Sequence, residues 1–290
     1  MSASSEDPNP PSLSVAVFGR SAEGFPVARV GENAFAMLPG RNGAHYLATG
    51  WRVSRPLNQW ARDDFYGHAG ELADEAAFRA HVLENAEHQH EKRALGRREI
   101  QSGAQTPWGV SQGATVYADG VVSHTTAGHG GFRLSAARNA LVHPMLRVAG
   151  AWYEEDCEWA IVAFSFPELF TRLERRYAEG TIKNNWPDAW ETIKGESLAP
   201  GESTEKDRRA FALAHADDWI VISAIASKHR PGFVEAFATR GGRGEGGEGG
   251  VEERCFLIPS AEYRIGRFGF VVDEARHEIY DGPSSFPSRR

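Results

Sequence analysis

Short apolar runs broken by turn residues recur at both ends of this 290-residue chain. A chain punctuated so often can bury its apolar side chains only by folding back on itself many times, which points to antiparallel strands and short helices. Near the start, runs at 13–18, 25–30, 34–38 and 46–49 are separated by Ser-Ala-Glu-Gly, Gly-Glu-Asn and Pro-Gly-Arg-Asn-Gly, the pattern of a β-meander with tight turns. Towards the end, the segments 219–226, 233–239, 254–258 and 267–272 are rich in Ile, Val and Phe and read as strands.

Between these strand-forming regions the periodicity is helical. Residues 71–90 carry a partial apolar stripe (Leu72, Ala76, Phe78, Val82) with Asp74 and Glu75 near its beginning. Further helices are expected at 168–178, 187–194 and 204–215, the last with Ser203 or Thr204 as cap, and a short one beginning at Ser135 and closed by His143-Pro144. Cys157, Ala160, Ile161 and Phe164 fit one helix face, with Asp156 as the expected cap. Strands at 115–117 and 121–125 flank Ala118-Asp119-Gly120, which puts His124 on a strand and His129 in the loop beyond it. The fold class that follows is α+β, mostly antiparallel sheets with several short helices. Its expected layout is a disordered tail at 1–12, a small α+β unit at 13–100, and a larger α+β domain at 104–290 with a flexible Gly-rich loop at 241–250.

Composition narrows the functional classes. With 41% hydrophobic and 11% aromatic residues the chain can bury a substantial core. Its net charge of -7 supplies no global field for nucleic acid, which makes a nucleic-acid partner the weaker expectation without excluding a local patch. Two distant cysteines, Cys157 and Cys255, suit a reducing cytoplasm, and no apolar window is long enough for a membrane span. Arg93, Arg97 and Arg98, interleaved with Glu91 and Glu99, read as a solvated helix face.

Chemistry-bearing residues concentrate between 106 and 159, in Thr106-Pro107-Trp108-Gly109, Gly128-His129-Gly130-Gly131 and Tyr153-Glu154-Glu155-Asp156-Cys157-Glu158-Trp159. His129 with Glu154 or Glu155 has the residue types of a general acid–base pair, because crowded carboxylates push one carboxyl upward. The same carboxylates are also explained by helix capping. His124 and His129 could join Glu154 or Asp156 in a two-histidine, one-carboxylate metal site. A hydrogen-bonded turn histidine is the stronger reading, so the sequence assigns no metal and no cofactor. Cys157 could act as a nucleophile, although three adjacent carboxylates oppose its ionisation. The Gly-His-Gly-Gly turn, with Arg133 close by, could form an anion cradle. Trp108, Gly130, Gly131, Arg133, Tyr153 and Asp156 are the candidate binding residues.

These three segments resemble a family of uncharacterised bacterial proteins, carrying a domain-of-unknown-function label, that is associated with plasmids and phages. The resemblance implies a mobile-element setting and assigns no reaction and no residue role. The resulting expectation is an accessory protein of a mobile element that binds a host or mobile-element protein around Trp108, His129 and Glu154. A hydrolase or transferase using His129 with Glu154 or Glu155, and a nucleic-acid-directed, anti-restriction-like factor, are the alternatives.

Overall fold

The computed structural model describes residues 15–40, 43–243 and 252–287. The expected tail at 1–12 and residues 244–250 of the Gly-rich loop lie outside these. The chain forms two compact units, Met1–Ile182 and Lys183–Arg290.

The first unit opens with the expected meander, β1 (Ala16–Arg20), β2 (Pro26–Val30), β3 (Asn33–Pro39), β4 (His45–Trp51) and a further strand, β5 (Gly67–Leu72), in that spatial order. Helix α1 (Glu75–Ala94) follows, four residues later than its periodicity suggests, because Glu71 and Leu72 pair with Tyr46 and His45 as strand. Asp74 caps it by accepting from the Ala77 N–H at 2.7 Å. Both faces of this sheet are covered. Phe35 and Met37 pack with Phe78, Val82 and Ala86 of α1, while Ala34, Ala36 and Leu38 pack with the fully buried Trp60.

A second sheet is built from β6 (Arg98–Ile100), β9 (Gly113–Ala118), β10 (Val121–Thr125), β11 (Gly130–Leu134) and β12 (Trp152–Glu154), ordered β12-β11-β10-β9-β6. Two more strands, β7 (Gln105–Thr106) and β8 (Gly109–Val110), make a separate small hairpin. Helix α2 (Ala136–Leu141) starts at its Ser135 cap, as expected. Helix α3 (Trp159–Ser165) buries Ala160, Ile161, Val162 and Ala163. Every strand pair among the described residues is antiparallel.

The boundary expected near residue 100 falls inside the first unit, and the interactions of α4 (Arg172–Asn185) explain why. Arg172 meets Glu87 and Glu91 of α1, Arg176 meets Glu84, and His88 Nδ1 lies 2.8 Å from the Thr171 hydroxyl. Arg97, expected on a solvated helix face, instead lies past the end of α1. Its guanidinium is buried against Glu174 at 2.5 Å and stacks over Tyr117 at 4.1 Å. A buried guanidinium held by a carboxylate and an aromatic face ties the α1 end to α4 more firmly than exposed ion pairs could.

In the second unit, α5 (Pro187–Lys194) and α6 (Thr204–Ala214) precede a sheet of β13 (Trp219–Ala226), β14 (Phe233–Arg240), β15 (Glu253–Pro259) and β16 (Glu278–Ile279). Ser203 caps α6 through the Lys206 N–H. The expected strand at 267–272 is absent. Residues there turn back through a Gly266–Gly269 bridge and meet β13 only through an isolated antiparallel bridge of Val271 to Ile220, with Val221 donating to the Phe270 carbonyl and Val272 to that of Trp219. Among the described residues, no helix is long and apolar enough to cross a membrane.

Candidate functional site

The three segments singled out in the sequence converge on one face of the second sheet. Strand register establishes this, because directly paired residues of an antiparallel ladder share a face. Gly131 pairs with both His124 and Glu154, and Arg133 pairs with Trp152. The face therefore carries His124, Gly131, Arg133, Trp152 and Glu154. The alternate residues Phe132, Leu134 and Tyr153 are buried on the other side.

The Thr-Pro-Trp-Gly segment is the turn of the β7–β8 hairpin. The Thr106 hydroxyl donates to the Gly109 carbonyl at 2.8 Å and accepts from the Trp108 N–H at 3.1 Å, which closes the turn and projects the indole. The Trp108 ring lies over Gly131: a Cβ at that glycine would come within 2.3 Å of the indole and equally close to the Tyr153 carbonyl. Glycine is required at 131 for this close approach. Trp108 then meets Trp152 edge to face, with ring centres 5.8 Å apart, and the Arg133 guanidinium sits 5.1 Å from the Trp152 ring while donating to the Gly150 carbonyl.

Gly-His-Gly-Gly forms the β10–β11 turn. Thr126 holds it closed, its backbone N–H and hydroxyl both donating to the His129 carbonyl and its hydroxyl accepting from the His129 N–H. The imidazole is thereby lifted towards the end of β12. His129 Nδ1 lies 3.9 Å from Glu154 Oε1 and 4.0 Å from Glu155 Oε1. His129 is the most open member, its side chain 60% exposed against 27% for Glu154. Glu154 Oε2 accepts from the Asp156 N–H at 2.7 Å. Its other oxygen, Oε1, is buried and has no hydrogen-bond partner among the described residues. Beside it, the Glu155 carboxylate lies over Gly130, where a Cβ would come within 2.5 Å of Oε2 and 2.7 Å of the His124 carbonyl.

Several sequence expectations change at this site. His124 does not join His129. It is buried on its strand, with Nδ1 3.1 Å from the Ser111 hydroxyl and its ring against Trp152, and burial lowers its pKa. Asp156 does not cap a helix. Pairing of Trp152, Tyr153 and Glu154 with β11 draws the segment into strand, residues 155–158 make a turn, and α3 starts only at Trp159 with Glu158 at its N-cap. Glu158 acts backwards, accepting from the Glu154 N–H at 2.9 Å. Tyr153 offers no surface: it is wholly buried, with its hydroxyl donating to Asn139 Oδ1 at 2.6 Å.

Cys157 is half-buried, and burial together with Asp156, Glu154 and Glu158 pushes its thiol upward, which argues against a nucleophile. An anion cradle at the glycine turn is opposed by the carboxylates of Glu154 and Glu155 standing over it. Arg133 points its charge to Trp152 and Gly150 instead.

Sequence reasoning missed Trp152, which seats both Trp108 and Arg133. Its position two residues before Glu154 on a strand is the signal that places both on one face. Such an arrangement offers a half-buried aromatic ridge beside an open nitrogen–oxygen ligand cluster.

No curated protein and no solved structure matches this chain. Residues 101–216, which include the converging segments, match the model of a family described as a domain of unknown function (DUF7007).

Proposed function

We propose that this chain acts by binding another protein, with the outer face of the second sheet as the contact. The observation that carries the reading is the seating of Trp108 on Gly131 and against Trp152, beside Arg133, His129, Glu154 and Glu155. Aromatic residues and arginine, preorganised and ringed by polar groups, are the side chains that dominate binding energy at protein interfaces. The plasmid and phage association implied by the resemblance makes the partner a host or mobile-element protein in the cytoplasm, and the chain an accessory factor.

The test is a photo-crosslinking residue placed at Trp108 or at the exposed Leu213, in the full chain expressed in its host. A discrete adduct at 108 that is absent at 213, and that disappears on adding Arg133→Ala, is the expected result. Identical adduct patterns at both positions count against the reading.

A second reading has one specific observation in its favour, the approach of His129 Nδ1 to two carboxylates. In that reading His129 and Glu154 or Glu155 serve as acid and base of a hydrolase or transferase. Ester and phosphoester substrates turned over by the wild type and not by His129→Ala would support it. The openness of His129 favours the binding reading, since acid–base catalysis gains from an enclosed, water-poor site.

A further inference from the structure

We infer that His129, Glu154 and Glu155 form a binding site for a divalent transition cation of the zinc class. Their donor atoms all lie within 4.8 Å of one another. A metal held at about 2.1 Å from each ligand in tetrahedral geometry separates its donors by about 3.4 Å. The 3.9 and 4.0 Å gaps from His129 Nδ1 exceed this by about half an ångström and no gap in the set exceeds 4.8 Å, so side-chain rotations have to draw the three donors together when the ion binds.

One further observation points to a ligand. Glu154 Oε1 is buried without a hydrogen-bond partner among the described residues, although its sister oxygen is satisfied by the Asp156 N–H. A carboxyl oxygen withdrawn from water without a hydrogen bond is costly, and a cation at this position removes the cost. The missing side chain of Gly130 is what lets the Glu155 carboxylate lie against the backbone of the histidine turn. The turn itself is pinned by Thr126, so the backbone that carries the imidazole is held in place before any ion arrives.

The donor set selects the metal. One imidazole nitrogen with carboxylate oxygens suits zinc, iron or manganese, whereas calcium requires six to eight oxygens and magnesium retains most of its water. Three protein ligands leave at least one coordination position open, to water or to a side chain of a bound partner. The site does not depend on the protein-binding reading, and it can be tested on the isolated chain.

The experiment is calorimetric titration of the metal-stripped full chain with Zn²⁺ alone, repeated with Mg²⁺ and Ca²⁺, on wild type, His129→Ala, Glu154→Gln, His90→Ala and Cys157→Ser. One site per chain is expected for Zn²⁺, with Mg²⁺ and Ca²⁺ at least 100-fold weaker. His129→Ala and Glu154→Gln should each weaken Zn²⁺ by at least 10-fold, while His90→Ala, on the exposed side of α1, and Cys157→Ser leave it unchanged. Far-UV circular dichroism of each variant separates lost ligation from lost folding. Because His129 lies on an exposed turn, an unfolded His129→Ala is not anticipated, and Glu154→Gln retains an acceptor for the Asp156 N–H. Zn²⁺ binding that survives in both folded variants, or no binding in the wild type, overturns the inference. So does loss of the site in Cys157→Ser alone, which would move the ligand to the thiol.

Discussion

The two larger sheets of the first unit each have five strands in antiparallel pairing, and they spend their faces differently. In the β1–β5 sheet the central strands β2 and β3 are apolar on both faces. Residues alternate along β3 between α1 on one side and Trp60 on the other, so the strand is buried almost throughout. The β12-β11-β10-β9-β6 sheet buries Phe132, Leu134 and Tyr153 on one face, and its other face, where His124 is buried too, carries indoles, a guanidinium, histidines and carboxylates. A buried face accounts for itself by the water it excludes. A polar, aromatic face with a buried carboxyl oxygen that lacks a hydrogen bond does not, and that difference is why the proposed contact is placed on the second sheet.

Substitutions can break or sharpen the contrast. The largest effect is expected for Trp60→Ala in the first sheet, about 3–5 kcal/mol of stability in urea unfolding, since the ring is fully buried and its N–H donates to the Arg55 carbonyl. Gly131→Ala should cost about 2 kcal/mol through overpacking and should also unseat Trp108, shifting its fluorescence to the red; an unshifted spectrum would refute the seating described above.

Glu174→Gln should cost about 1–2 kcal/mol at neutral pH. Burial pushes the Glu174 carboxyl up, but the Arg97 guanidinium and the Thr171 N–H outweigh it and leave it below its ordinary value. A depressed carboxyl contributes fully above its unfolded pKa and loses that contribution as pH falls through its folded one. The stability gap between wild type and Glu174→Gln should therefore shrink on acidification below the ordinary glutamate range, and a gap that is constant with pH would count against the pairing. The smallest effect, about 1 kcal/mol, is expected for Tyr153→Phe, which leaves Asn139 Oδ1 without its donor and should leave Zn²⁺ binding intact.

How much of this was legible in the sequence depended on the range of the interaction. The meander, the Asp119-Gly120 hairpin and the Ser135 and Ser203 caps are local, and turn chemistry and capping announce them. His129, Glu154 and Glu155 were legible as residue types, and β11–β12 pairing is what brings them within reach of one another. The expected Asp156 cap failed because that same long-range pairing extends the chain through Glu154. His124 was misjudged for a related reason: burial and Ser111 claim its ring, and no spacing rule reports on either. The compact units divide after Ile182, and Arg97, near the boundary expected from the sequence, reads as a surface charge until Glu174, 77 residues away, is known to cover it.

Thermal unfolding of Glu154→Gln beside the wild type, with and without excess Zn²⁺, tests most directly whether the outer face of the second sheet is a functional surface. If the Glu154 oxygen that lacks a hydrogen bond is kept for a ligand, the metal-free variant melts at or above the wild-type temperature, and at Zn²⁺ a hundredfold over the wild-type dissociation constant the wild type gains about 2.7 kcal/mol while the variant gains no more than about 1.4 kcal/mol. A variant that is less stable without metal and rises equally with Zn²⁺ would make Glu154 a structural residue and contradict the account.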